Sequence, residues 1–124
     1  METATADLFF CTGHLADLFQ ARAEIMAYAT PRQRQIMESR HIPKAKRDKL
    51  ILSDRVLLCI VQQLHRLNAM IKMTMCRMLK LYLDNANVSS EMQEFIRYDI
   101  TMRKNDADAL TMNANALLTA CSMN

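Results

Sequence analysis

Residues 54–83, DRVLLCIVQQLHRLNAMIKMTMCRMLKLYL, form the longest uninterrupted helical pattern in the chain. One row of side chains repeats along this stretch in alternating steps of four and three residues; it consists of Leu57, Val61, Leu64, Asn68, Ile71, Met75, Met78 and Tyr82. Residues at this spacing lie along one side of an α-helix, as in the seam of a coiled coil. A second apolar row (Ile60, Leu67, Met70, Met73, Leu81) widens the face. A face this broad is typical of a helix that is covered on two sides in a bundle.

A further long helical pattern follows this stretch. Residues 84–87 (DNAN) tolerate turns, and Ser90 with Gln93 has the spacing of a capping box, which predicts a helix over about residues 90–120. Its apolar row also has three-four spacing and consists of Phe95, Tyr98, Met102, Ala109, Met112 and Ala116. Asn105 interrupts this row, as Asn68 interrupts the row of the preceding helix.

The chain before residue 54 contains one long and one short helical pattern. Apolar residues at helical spacing predict a helix over about residues 5–29. Thr30, Pro31 and Gln33 predict the start of a second helix over about 31–40, with Thr30 as its cap and Pro31 in its first position. Residues 41–53 begin with His41-Ile42-Pro43 and are rich in Lys and Arg, so we interpret them as a basic connector.

The composition restricts the fold class to all-α. A single Gly and two Pro leave almost none of the turn residues that β-hairpins require. We therefore expect residues 1–124 to form one domain, an antiparallel bundle of three long helices and one short helix, with a coiled-coil-like third helix. The last two helices are each near thirty residues and thus about 45 Å long. Helices of this length are longer than a compact domain of 124 residues, so we predict an oligomer or a subunit of a helical complex.

Cysteine usage and hydropathy bear on the compartment. Cys11, Cys59, Cys76 and Cys121 have no paired spacing, and Glu2 and Asp7 stand where a secretory leader would carry basic residues. We therefore expect reduced thiols and a cytoplasmic location. No uncharged stretch approaches the length of a membrane-spanning helix, so we expect no membrane association.

The sequence contains no catalytic motif. It lacks a Gly-rich phosphate loop, a nucleophile elbow and a His-Glu metal helix. Cys11 and His14 lie on one helical side, but no second pair of ligands accompanies them, whereas a zinc site needs about four. We expect neither an enzyme nor a bound metal or cofactor.

The leading hypothesis is a protein-interaction module, such as an assembly subunit, an adaptor or a chaperone-like binder. Its partner, a second copy or another helical chain, would bind the row from Leu57 to Tyr82. Asn68 could select the register and number of helices, as polar residues do in coiled coils, or it could face water or a backbone group at the bundle edge. The eleven Met residues suit either a surface that repacks against several partners or ordinary core filling.

The alternative hypothesis is a small dimeric regulator that associates with nucleic acid. Residues 32–55 contain eight basic and three acidic residues, whereas residues 1–31 contain one basic and four acidic residues. The candidate phosphate contacts are Arg40, Lys44, Lys46, Arg47, Lys49 and Arg55. The same side chains could instead meet an acidic protein partner or the acidic first helix of a neighbouring copy. No aromatic residue is interleaved among them, which makes nucleic acid the weaker hypothesis.

Overall fold

The computed structural model describes residues 2–123, and these residues form five helices without a β-strand. The helices are α1 (Glu2–Ala27), α2 (Pro31–Glu38), α3 (Lys44–Ser53), α4 (Arg55–Asn85) and α5 (Ser90–Met123). The predicted all-α class is therefore confirmed. The predicted helix ends lie within three residues of the observed ones.

The basic connector predicted over residues 41–53 is wrong, because residues 44–53 form α3. This makes two short helices instead of one. The segment KAKRDKLILS contains only residues that a helix accommodates, and Pro43 stands just before it, where no helical N–H is needed. Leu50 and Ile51 pack on the core, so α3 gains apolar burial that its basic composition concealed. The chain then turns into α4 at the single residue Asp54.

Two side-chain caps set the starts of α2 and α4. The backbone N–H of Gln33 donates to Thr30 Oγ1 at 3.1 Å, and Gln33 Oε1 accepts from the Thr30 N–H at 2.9 Å, which completes the predicted capping box. Asp54 Oδ1 accepts from the Leu57 N–H at 3.1 Å at the start of α4. The amide of Gln33 also donates to Asp54 Oδ2 at 3.1 Å, so one buried side chain ties both helix starts together.

The main apolar cluster lies at this end of the molecule. Its buried members are Ile36, Ile51, Leu57, Leu58 and Val61, and partly buried side chains at the end of α5 pack against them. Leu57 and Leu58 have no exposed surface at all. The cluster therefore joins α2 and α3 to the first two turns of α4.

Helix α4 is the centre of the arrangement. It packs against α1, α3 and α5, whereas α1 and α5 make few contacts with each other. Along the α4–α5 interface, Cys59 meets Cys121, Lys72 meets Asp106, and Cys76 meets Ile100. Because α4 is covered on more than one side, most of its apolar face is used within the chain, while Met70 and Met73 of the second apolar row remain exposed. None of the helices in residues 2–123 has an apolar stretch long enough to cross a bilayer.

Candidate interaction surfaces

The structure turns the predicted partner-binding row of α4 largely toward the chain's own interior. We call this row, Leu57 to Tyr82 as defined above, the α4 inner row. Leu57, Val61 and Ile71 are buried, and Leu64, Met75 and Met78 are half-buried. Only Tyr82, at the end of the row, exposes half of its surface. The prediction that all eight side chains face a partner therefore has to be corrected, because most of them already pack inside this chain.

Asn68 has a partner that the sequence did not indicate. Its Oδ1 accepts a hydrogen bond of 3.0 Å from Arg22 Nη1 on α1. The guanidinium of Arg22 also lies 4.8 Å from the centre of the Phe19 ring, a cation–π distance. The Asn68 that interrupts the apolar row of α4 is thus paired with Arg22 of α1. This polar pair joins α1 to α4 and needs no second chain.

The apolar row of α5 faces solvent. We call it the α5 outer row, and its members are Phe95, Tyr98, Met102, Asn105, Ala109, Met112 and Ala116. All seven are exposed, with Phe95 at 69%, Tyr98 at 64% and Met112 at 71%. It is a heptad row on a well-formed helix without a partner among the described residues.

A competing row on the same helix explains this orientation. Gln93, Ile96, Ile100, Arg103, Ala107, Leu110, Ala114, Leu117 and Cys121 also follow strict three-four spacing, and we call them the α5 inner row. All nine are buried or half-buried, Ala107 and Ala114 almost completely. Small residues let two helices approach closely, so this row packs on α4 while larger side chains point outward. Ala alternates with larger residues in both rows, so the sequence signal that would have identified the inner side is its aliphatic content: it contains Ile and Leu at four positions, whereas the outer row contains only Phe, Tyr, Met, Asn and Ala.

Aromatic side chains are exposed throughout the molecule. The chain has four Phe, three Tyr and no Trp, and none of these seven residues is buried. Phe9 and Tyr28 expose about four-fifths of their surface. Aromatic residues ordinarily supply much of a core and are enriched where proteins meet other proteins. Their distribution here marks the outer surface, and not the interior, as the place for further packing.

The basic candidates lie on and around α3. Arg40, Lys44, Lys46, Lys49 and Arg55 are exposed, so they remain accessible to an anionic partner. Arg47 is different: it is half-buried, and its Nη2 donates to the backbone carbonyl of Ser39. The side chain of Arg47 therefore holds the end of α2 next to α3. Five of the six candidate residues are therefore exposed, and the sixth is half-buried.

A cleft of about 710 Å³ opens between α3, α4 and α5. Ile51, Leu64 and Leu117 line its apolar part, and Lys44 and Asp48 stand among its polar residues. His65 also lines it, and burial lowers the pKa of this imidazole below its usual value. The residues that line this cleft include no Ser, Thr or Cys.

Three of the four cysteine side chains lie at the contact between α4 and α5. Cys59 Sγ and Cys121 Sγ lie 3.7 Å apart across α4 and α5, and the hydrogen bond between them raises the pKa of Cys59, with burial adding to the effect. Burial likewise raises the pKa of Cys76, whose Sγ donates to the Ile100 carbonyl at 3.5 Å. A raised pKa keeps a thiol protonated and weakly nucleophilic at neutral pH. All four cysteines are free.

Within residues 2–123, no three His, Cys, Asp or Glu side chains are grouped closely enough to hold a metal ion. Cys11 is buried at 2% exposure, and the ring of His14 stacks on Phe10 with 6.2 Å between ring centres. Comparison of the chain with protein-family models, curated proteins and solved structures finds no match.

Proposed function

We propose that this protein is a non-enzymatic interaction subunit that binds another helix through the α5 outer row. The observation that carries the proposal is the exposure of Phe95, Tyr98 and Met112 along one side of a 34-residue helix. Apolar residues at heptad spacing that do not meet their own chain are typical of a helix that meets another one. This moves the binding surface from the α4 inner row to α5.

The total surface supports the same proposal. The chain exposes 8852 Å², whereas a folded monomer of 14.3 kDa has a surface of about 6,800 Å². The excess of roughly 2,000 Å² comes from long helices that are covered on only part of their circumference. A standard interface buries about 800 Å² on each partner. The excess is therefore large enough to accommodate one or two such contacts.

We infer an antiparallel arrangement of the long helices as the scaffold for this function. The partners of α4 lie progressively earlier in α5 as α4 proceeds, from Cys121 through Asp106 to Ile100. The assignment to a reducing, cytoplasmic environment is part of the proposal. It is supported by the lack of paired spacing among the four cysteines, which is typical of proteins without structural disulfides.

Position-specific photo-cross-linking in the expressing cell tests the proposal. A photoreactive amino acid replaces Met112 in the outer row or, as the matched control, Lys104, which is exposed on the same helix outside the row. Irradiation is expected to give a discrete covalent adduct at position 112 and none at 104. Equal labelling at the two positions, or none at either, would contradict a docking role for the row.

A second candidate function is nucleic-acid association through α3. The observation that favours it is the exposure of Lys44, Lys46 and Lys49 on one short helix. Replacing these three residues by Gln should reduce binding of a fluorescent DNA or RNA duplex. A plot of the logarithm of the association constant against the logarithm of the salt concentration should also become less steep, because fewer phosphate contacts release fewer counterions. Binding that is unchanged in slope and strength would reject this candidate.

A further inference from the structure

We propose that the partner of the α5 outer row is the same row of a second copy, bound in antiparallel orientation about a two-fold axis. This inference rests on the proposed function and names its partner. It draws on three features of the row: its exposed area, the distribution of side-chain size along it, and the charges beside it.

The exposed area is sufficient for a dimer. The row from Phe95 to Ala116 covers 21 residue steps and is therefore about 32 Å long. Phe95 and Tyr98 each expose about two-thirds of a side chain that can bury about 150–250 Å². Met102 and Met112 are exposed at 43% and 71%, and the flanking residues add to the contact. Together these side chains approach the roughly 800 Å² per partner of a standard interface.

The large and small side chains are distributed so that the row is complementary in shape to the same row of a second copy that runs in the opposite direction. Its N-terminal half carries the large residues Phe95, Tyr98 and Met102, whereas its C-terminal half places one large residue, Met112, between Ala109 and Ala116. A parallel pair would set the bulky half against itself and leave the alanine half loosely packed. An antiparallel pair sets each bulky half against the smaller one, so that both ends of the interface fill evenly.

Asn105 lies at the middle of the row, halfway between Phe95 and Ala116. It is exposed and makes no hydrogen bond within the described residues. In the antiparallel pair the two-fold axis passes close to Asn105, so the two Asn105 amides come within reach of each other. A buried polar residue then has a polar partner and penalises registers that would place it against apolar side chains.

The charges beside the row are compatible with self-association. On one side, Asp99 pairs with Arg103 at 3.2 Å and Asp106 with Lys72 at 3.6 Å, both within the chain. These carboxylates are therefore already compensated when a second α5 approaches.

In the antiparallel pair, the acidic residues on the other side of the row lie next to uncharged residues of the second copy. This pairing brings Glu94 near Asn115 of the second copy, and Thr101 near Asp108. A parallel pair would instead bring Glu94 near Asp99. Antiparallel pairing thus avoids the two symmetry-related Glu94–Asp99 contacts of a parallel pair; it brings Asp99 near Asp106 of the second copy instead, and these two carboxylates each have a cation within their own chain.

Light scattering behind size exclusion and analytical ultracentrifugation test the inference on the purified full-length protein in reducing buffer. We expect a dimer whose dissociation constant rises at least about 100-fold in the Tyr98→Glu/Met112→Glu variant. The matched control is Phe9→Glu, which adds a charge at a more exposed aromatic residue outside the row and should leave the dimer intact. Circular dichroism checks that each variant keeps its helices.

Disulfide cross-linking then determines the orientation in a Cys59→Ser/Cys121→Ser background. Asn105→Cys should form an interchain disulfide on exposure to oxidised glutathione, with two glutathione thiols released per bond. Phe95→Cys should not, because the two copies of residue 95 lie at opposite ends of an antiparallel pair. Efficient cross-linking through Phe95→Cys would overturn the antiparallel orientation, since only a parallel pair brings these residues together.

A protein that remains monomeric at all concentrations would overturn self-association. The proposed function would then still stand if the adduct at position 112 in the cell had a mass other than twice that of the chain. If neither a dimer nor an adduct formed, both the inference and the proposed function would fail.

Discussion

The α4 inner row and the α5 outer row have the same three-four spacing, and each contains one Asn near its middle, yet their surroundings are opposite. Leu57 in the first row is completely buried, whereas Phe95 in the second exposes 69% of its surface. Asn68 is bonded to Arg22, whereas Asn105 is exposed. The difference teaches that heptad spacing identifies an apolar side of a helix without identifying what covers it.

The largest expected difference between the rows concerns folding stability. Leu57→Ala should lower the free energy of unfolding by about 2–5 kcal/mol, because the truncation leaves a cavity in the main apolar cluster. Phe95→Ala should change it by less than about 0.5 kcal/mol when the protein is dilute enough to be monomeric. Urea denaturation followed by circular dichroism measures both. Equal losses would show that the outer row belongs to the monomer's core.

The N-terminal caps of α4 and α5 should also differ in how much they contribute to the free energy of unfolding. Asp54→Ala removes the cap of α4 and the acceptor of Gln33, and should lower the free energy of unfolding by about 1–2 kcal/mol. Ser89→Ala removes the exposed cap of α5, where Ser89 Oγ accepts from the Met92 N–H, and should cost about 0.5 kcal/mol. A larger loss for Ser89→Ala would contradict the view that the α4 start is the more tightly held.

The pH dependence of the Asp54→Ala effect provides a further check. The hydrogen bond from the Leu57 N–H, followed by that from Gln33, lowers the pKa of Asp54 below 3.8. Its contribution is therefore complete above pH 3.8 and is lost as the pH falls through the lowered pKa. The stability difference between wild type and Asp54→Ala should shrink only in that acidic range. A difference that is independent of pH would mean that the carboxylate charge is not involved.

The two Asn residues should respond differently to the same substitution. Asn68→Leu leaves the Arg22 guanidinium without its acceptor and should cost about 1 kcal/mol of folding stability without changing the oligomeric state. Asn105→Leu should leave the stability of the dilute monomer unchanged and should weaken the preference for one dimer orientation. Denaturation and light scattering measure these effects. If only the Asn68→Leu variant changed its oligomeric state, the interface would have to lie on α4 instead of α5.

The smallest expected effect concerns His65, beside the α4 inner row in the cleft. Burial lowers its pKa from 6.5, so the unfolded chain binds a proton more readily than the folded one. Folding stability should be constant above about pH 6.5 and should fall as the pH decreases below that value. His65→Gln should reduce this slope, whereas the exposed His41→Gln should not. An identical slope in the two variants would exclude His65 as the cause.

The sequence predicted several local features correctly because they depend on neighbouring residues. The capping box of Thr30 and Gln33 and the length of α4 follow from residues within a few positions of one another. The capping box predicted for Ser90 and Gln93 is wrong by one residue, because Ser89 accepts from the Met92 N–H and Gln93 donates to the Val88 carbonyl. Residues 44–53 were misinterpreted because charge suggested a connector, although their helix propensity and the apolar pair Leu50-Ile51 favoured a helix.

What the sequence determined by itself is the helical class, most helix boundaries and the presence of two apolar heptad rows, because these depend on local propensity and periodicity. Only the tertiary structure decided which row is covered. Helix α4 packs against α1, α3 and α5, so its row is internal, while α5 turns its Ile- and Leu-containing side to α4 and its Phe, Tyr and Met side outward. Close packing between helices depends on the size of side chains that lie far apart in the chain, and spacing alone does not encode that.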